Sequence, residues 1–184
     1  MSTEVASGLV RWRVPLSWAL GLLALVLARP TPVSYAVGLG MAALGEALRL
    51  WSAGHLVKGK GVTRSGPYAW TRNPLYLGST VMGVGFCVAA RSWVLLVLFG
   101  GLWLGVILPV VRTEATRLAE LHPQAYSEYG KAVPLFFPGL GPCREWLYEQ
   151  EFDWTRVRVN REHRAVLGWL GAALILGVKM FAVG

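Results

Sequence analysis

The sequence predicts an all-α protein, a multi-pass integral membrane bundle of about five transmembrane helices with a cytoplasmic amphipathic helix. Three observations carry this expectation. Only 15% of the residues are charged, where a soluble chain carries about 25%. Five apolar stretches punctuate the 184 residues, and the lysines and arginines fall unevenly between them. Lipid offers no partners to backbone N–H and C=O groups, so each apolar stretch is assigned as a helix.

The first stretch, residues 14–28, is short for a span of about 20 residues and reads as tilted or partly interfacial. No small-residue cleavage site follows it; Arg29-Pro30-Thr31-Pro32 does, so it is expected to be a retained helix rather than a signal peptide. The second stretch covers residues 33–54, the third 75–90, the fourth 93–111 and the fifth 166–183. Arg91-Ser92 alone separates the third from the fourth, which demands a tight helical hairpin. Residues 112–130 read as an amphipathic helix with Leu118, Leu121 and Ala125 on one face, ended by Pro134 and Pro138. Residues 139–163 hold Trp146, Tyr148 and Trp154 among charges and are expected to lie against lipid headgroups.

Charge placement sets the orientation. Arg11 and Arg13, the four cations of residues 56–74 and the eight of residues 112–164 put fourteen of eighteen on one side. Arg29 and Arg91 face the other side, and Arg49 and Lys179 fall inside spans. Positive loops stay in the cytoplasm, which places the N-terminus inside and the C-terminus outside. The net charge of +8 is thereby absorbed, and no basic helix or aromatic-basic surface points to nucleic acid. Cys87 and Cys143 stand in no metal-ligand or disulfide spacing, so no metal is expected.

The chemistry concentrates in residues 56–74 and the start of the third stretch. Gly66-Pro67 makes a turn, Asn73 suits an N-cap and Pro74 a first helical turn. On spacing alone, a capped membrane helix with an interfacial arginine explains this run. In the second stretch, Glu46 and Arg49 share a helix face and read as an internal ion pair. His55 follows at its cytoplasmic end, and Lys179 near the end of the fifth stretch reads as snorkelling outward.

The run Gly66-Pro67-Tyr68-Ala69-Trp70-Thr71-Arg72-Asn73-Pro74-Leu75-Tyr76-Leu77-Gly78 resembles the G-P-Y-x-x-x-R-[HN]-P-x-Y-x-G signature of the isoprenylcysteine carboxyl methyltransferase and phospholipid methyltransferase superfamily. Glu114-Ala115-Thr116-Arg117-Leu118 is similar to that family's E-E-x-x-L, and Tyr126, Tyr129, Val133, Pro134 and Pro138 follow at its spacing. Gly83-Val84-Gly85 resembles the G-x-G of the phospholipid enzymes, and residues 49–58 an R-x-W-x-x-G-H-x-x-K run of small bacterial members.

The resemblance implies one domain over residues 1–184, with a family core at about 33–138, an interfacial segment at 139–165 and an extra helix at 166–183. It implies S-adenosyl-L-methionine as cofactor and methyl transfer at the cytoplasmic face of a bacterial inner membrane. The acceptor would be a lipid-like or isoprenylcysteine-carboxylate-like molecule entering from the bilayer. Arg72, Glu114, His55 and Asn73 are the implied catalytic residues. Tyr68, Arg72, Pro74, Tyr76, Gly83, Gly85, Glu114, Tyr126 and Tyr129 are the implied cofactor-binding residues. Arg72 or Arg112 is suited to the cofactor's carboxylate, and a tyrosine to adenine or sulfonium. Glycines in the third stretch serve either close cofactor approach or close helix packing. Two positions depart from the pattern: Asn73 cannot act as a base where many members have histidine, and Ala115 replaces the second glutamate. A nicotinamide-dependent membrane reductase, which shares an R-H-P-x-Y-like run, and a non-catalytic membrane scaffold are the alternatives. Partners implied are the bilayer and a lipophilic or lipidated acceptor; the oligomeric state is left open.

Overall fold

The structure, a computed structural model, describes residues 15–183 apart from 17, 18, 25 and 58–60. Arg11, Arg13, Lys58, Lys60 and the start of the first apolar stretch therefore lie outside the described residues. Those described between 15 and 27 are helical, and no strand occurs among the described residues.

Helix α1 (Pro32–His55) opens on a reciprocal cap: the Thr31 side chain accepts from Ser34 N, and Ser34 Oγ accepts from Thr31 N. Such a cap satisfies N–H groups that the first turn leaves unpaired. After α1 the chain makes a 3₁₀ turn, Gly66–Ala69, with Gly66 at φ 57°. Helix α2 (Pro74–Ala89) returns antiparallel to α1, and small residues set the closeness of the pair. A Cβ on Gly78 would stand 2.6 Å from Gly45 O, and one on Gly85 would stand 2.6 Å from Ala42 N. Backbones pack this tightly in membranes because apolar side chains gain little from leaving lipid.

The expected hairpin follows, with Arg91 at φ 51° and Ser92 capping the next helix through Leu95 N. Helix α3 (Trp93–Leu121) fuses the fourth apolar stretch to the first part of the amphipathic segment. A π turn interrupts it at Trp103–Ile107, where Leu108 N reaches back to Trp103 O. Pro109 explains the widening, since its ring cannot sit over the carbonyl four residues earlier. The single amphipathic helix expected over residues 112–130 is a correction. The chain breaks at His122 (φ −136°, ψ 63°), and helix α4 (Pro123–Ala132) starts afresh. Proline disfavours helical geometry in the residue before it.

Short helices α5 (Arg144–Leu147) and α6 (Trp154–Val159) lead to α7 (His163–Val183). Residues 152–162 clasp the end of α1. Asp153 N donates to Gly54 O at 3.1 Å, and Asn160 Nδ2 donates to Ala53 O and Leu56 O at 2.9 and 3.2 Å. These carbonyls would otherwise be unpaired at the helix terminus. Arg49 also looks beyond its own helix. Its guanidinium meets both Glu162 oxygens at 3.0 and 2.7 Å, while Glu46 stands 3.7 Å away. The internal Glu46–Arg49 pair is thus secondary to a long-range one. On the far side, Tyr35 OH donates to Ala173 O at 3.0 Å, and Lys179 Nζ donates to Val26 O at 3.1 Å instead of only snorkelling.

Among the described residues, two helices are long and apolar enough to cross a membrane, α3 and α7. Helix α2 is apolar but has 16 residues.

Candidate active site

The chain between Ala69 and Asn73 is held edge to edge by residues 134–143. Arg72 N donates to Pro134 O at 2.9 Å, Thr71 Oγ1 to Phe136 O at 2.7 Å and Cys143 N to Ala69 O at 2.9 Å. Asn73 sits at the N-cap position, yet its side chain caps nothing. Its amide donates to Leu135 O at 2.9 Å, fixing the strap that follows α4.

Arg72 and α4 enclose a cavity of about 230 Å³ together with the start of α2, the C-terminal part of α3 and residues 56, 57 and 61–63. Tyr68, Arg72, Asn73, Pro74, Tyr76, Glu114, Tyr126 and Tyr129 all line it. Arg72 Nη1 donates to Tyr126 OH at 3.1 Å, and its guanidinium lies 5.4 Å from the centre of that ring. Arg72 Nε is buried with no hydrogen-bond partner. Tyr76 OH donates to Glu114 Oε1 at 2.9 Å, joining α2 to α3 across the opening. Tyr129 OH donates to Tyr68 O at 2.7 Å, and the Tyr129 ring stacks edge-on against Tyr126 and Trp146. Burial pushes the phenols of Tyr68 and Tyr129 well above their ordinary value, so both stay protonated donors.

A second depression of about 420 Å³ adjoins the cavity and shares Gly61, Glu114 and Leu118 with it. Arg117 and His122 line it. The two together offer aromatic faces, the half-buried guanidinium of Arg72, the exposed one of Arg117 and the carboxylate of Glu114.

Four sequence expectations fall outside this opening. Gly83 packs on the Phe99 ring, where a Cβ would come within 2.5 Å, and Gly85 packs on α1. Neither lines the cavity, and close helix packing accounts for both. Arg112 is exposed and lines neither space, which leaves Arg72 as the cavity's guanidinium. His55 is buried behind the 3₁₀ turn, its Nδ1 3.1 Å from Ser65 Oγ and its ring against Gly66 and Phe152. Ala115 lines the cavity and packs on the Tyr126–Tyr129–Val133 cluster, so the missing glutamate is replaced by an apolar contact.

Sequence reasoning missed the outer support of the site. Arg64 pairs with Glu149 at 2.9 Å and lies 4.8 Å over the Trp146 ring, which backs Tyr129. These partners are 82 and 85 positions apart in the chain, and no local pattern marks them. Among the described residues, no three His, Cys, Asp or Glu side chains come together as metal ligands.

The chain thus gathers an arginine, a carboxylate and four tyrosines around one opening, beside helices of which α3 is long and apolar enough to cross a membrane. A model of the phospholipid methyltransferase family matches residues 33–125, half of the chain. The chain belongs to that family, whose members are membrane methyltransferases. The cobalt-zinc-cadmium resistance protein CzcN of Cupriavidus metallidurans is 28% identical over 175 residues, covering 90% of this chain and 78% of that protein. No solved structure matches the chain.

Proposed function

We propose that the protein transfers a methyl group from S-adenosyl-L-methionine to a lipid-like or isoprenylcysteine-carboxylate-like acceptor at the cytoplasmic surface of a bacterial inner membrane. The carrying observation is Arg72: a half-buried guanidinium on the cavity wall whose buried Nε has no hydrogen-bond partner. Such an orphan calls for an anion, because an unmet buried donor is costly. The carboxylate of the cofactor's amino-acid part suits it.

The rest of the lining fits the same molecule. Tyr126 and Tyr129 offer ring faces to adenine or sulfonium. Glu114, held by Tyr76, is suited to accept from ribose hydroxyls or an ammonium. When bound, the sulfonium would supply an electrophilic methyl group to the acceptor's lone pair, the C–S bond breaking in line and sulfur leaving as the neutral thioether. What remains for the chain is alignment and exclusion of water. Tyr68 and Tyr129 remain protonated and cannot remove a proton. Asn73 spends its amide on Leu135 O and is no base. A carboxylate acceptor needs none; an amine acceptor must arrive already deprotonated or lose its proton to Glu114.

In this reading the chain crosses the bilayer five times, with the N-terminus in the cytoplasm and the C-terminus outside. The acceptor enters laterally from the bilayer. No nucleic acid takes part.

The test uses the purified protein in lipid–detergent micelles, with a donor tritiated on its methyl group. Membrane lipid extract and a farnesylated cysteine analogue serve as acceptors. Label should enter an organic-extractable product, and Arg72→Ala should cut the rate at least about tenfold, the scale of losing a charged hydrogen bond. Label released by mild base marks a carboxyl ester; base-stable label marks an amine. No extractable label with any acceptor, from folded protein, would sink the proposal.

A further inference from the structure

A tyrosine presents a fixed face to a ligand only when something stands behind its ring. Tyr129 lines the cavity, is 2% exposed, and donates from its hydroxyl to Tyr68 O at 2.7 Å. That bond fixes one end of the side chain and leaves the tilt of the ring to packing. The Trp146 ring meets it edge to face, with centres 5.6 Å apart and planes at 68°. Trp146 does not itself line the cavity.

Trp146 sits in α5, one turn of four residues that buries no side chain. A turn this short has no stability of its own, so contacts from outside set its place. At one end Cys143 N donates to Ala69 O at 2.9 Å. At the other, Arg64 Nη2 donates to Glu149 Oε1 at 2.9 Å, and the guanidinium lies 4.8 Å from the centre of the Trp146 ring. Arg64 follows directly on Gly61, Val62 and Thr63, which line the cavity. Val62 and Trp146 pack on the same cluster of Tyr126, Tyr129 and Val133. One arginine thus ties a wall of the cavity to the ring that backs its most buried tyrosine. Trp146 and Glu149 lie beyond residue 125, where the family match ends.

We propose that Arg64, Trp146 and Glu149 are positioning residues for the cofactor, so that the chain beyond the family match takes part in cofactor binding. All three lie outside the cavity lining and act through Tyr129 and the wall of residues 61–63. The inference rests on the cofactor reading of that cavity. No bond is made or broken at these residues. Edge-to-face and cation–π contacts are each modest in strength, so the effect on affinity is graded and not all-or-none.

The experiment is calorimetric titration of S-adenosylhomocysteine into the full chain in maltoside micelles, with thermal unfolding read on every variant. Trp146→Ala and Arg64→Met should each weaken binding about three- to tenfold in the folded protein. Trp146→Phe keeps an aromatic edge and should restore affinity to within about twofold of the wild type. Glu149→Gln should weaken binding less than Arg64→Met, and adding it to Arg64→Met should weaken binding no further, because both break one contact. Asn160→Ala removes the hold on the end of α1; it should lower the unfolding temperature and leave affinity unchanged. Arg64 and Trp146 variants that lose stability as Asn160→Ala does, yet bind like the wild type, would overturn this inference alone. Failure of Trp146→Phe to restore affinity would overturn the role of the ring contact. Absence of binding by folded wild-type protein would overturn the cofactor reading, and this inference with it.

Discussion

At the scale of single residues, the same amino acid type serves very different ends in this chain. Gly66 permits φ 57° at the turn beneath the cavity, whereas Gly85 lets α2 press on α1. A Cβ at Gly85 would stand 2.6 Å from Ala42 N, and backbone cannot yield as a flexible side chain does. Gly85→Ala should therefore cost about 1–3 kcal/mol, the usual range for overpacking. Thermal unfolding in detergent measures the cost. Cofactor affinity in the folded fraction should not change, because Gly85 lines no part of the cavity; a loss of affinity at unchanged stability would return the glycine to the site. The run from Tyr68 to Tyr76 was legible in the sequence because its spacing is local and one turn and one helix start carry it. The glycine pair was not, since helix packing and ligand approach demand the same small residue. Asn73 was legible as an N-cap position but not as a side-chain anchor, since its partner Leu135 lies 62 residues away.

At the scale of elements, proline and long-range polar contacts decide what periodicity does not. The amphipathic pattern of residues 112–130 continues smoothly across His122, yet Pro123 breaks the helix there. That break turns Tyr126 and Tyr129 onto Arg72 and Tyr68. The segment 139–165, read from sequence as an interfacial ribbon, clasps α1 through Asp153, Asn160 and Glu162. Glu162 is 6% exposed and binds Arg49 through both oxygens. Removing one partner of a buried pair leaves the other charge stranded. Glu46 at 3.7 Å softens that loss, so Glu162→Gln should cost ~2 kcal/mol, below the full range for a broken buried pair. Chemical unfolding in mixed micelles reads it. No change in stability would mean that Arg49 is held by Glu46 and Ser79 without the clasp.

At the scale of the whole molecule, the apolar helices form a scaffold that brings polar residues from four separate segments to one opening. Residues 56, 57 and 61–63, the run from Tyr68 to Tyr76, the end of α3 and α4 each contribute wall. Hydropathy made the all-helical architecture legible, and α3 and α7 stand as spans by length and composition. The assembly of the opening was not legible, because the strap of residues 134–143 that closes it works mainly through backbone hydrogen bonds. The central claim is that this opening holds S-adenosylmethionine by Arg72 and Glu114. Calorimetric titration of S-adenosylhomocysteine into the detergent-purified protein tests it most directly. Micromolar binding is expected, weakened about tenfold or more by Arg72→Ala and less by Glu114→Ala, whose carboxylate is exposed. No heat and no thermal shift at millimolar ligand, in protein shown to be folded, would contradict the claim.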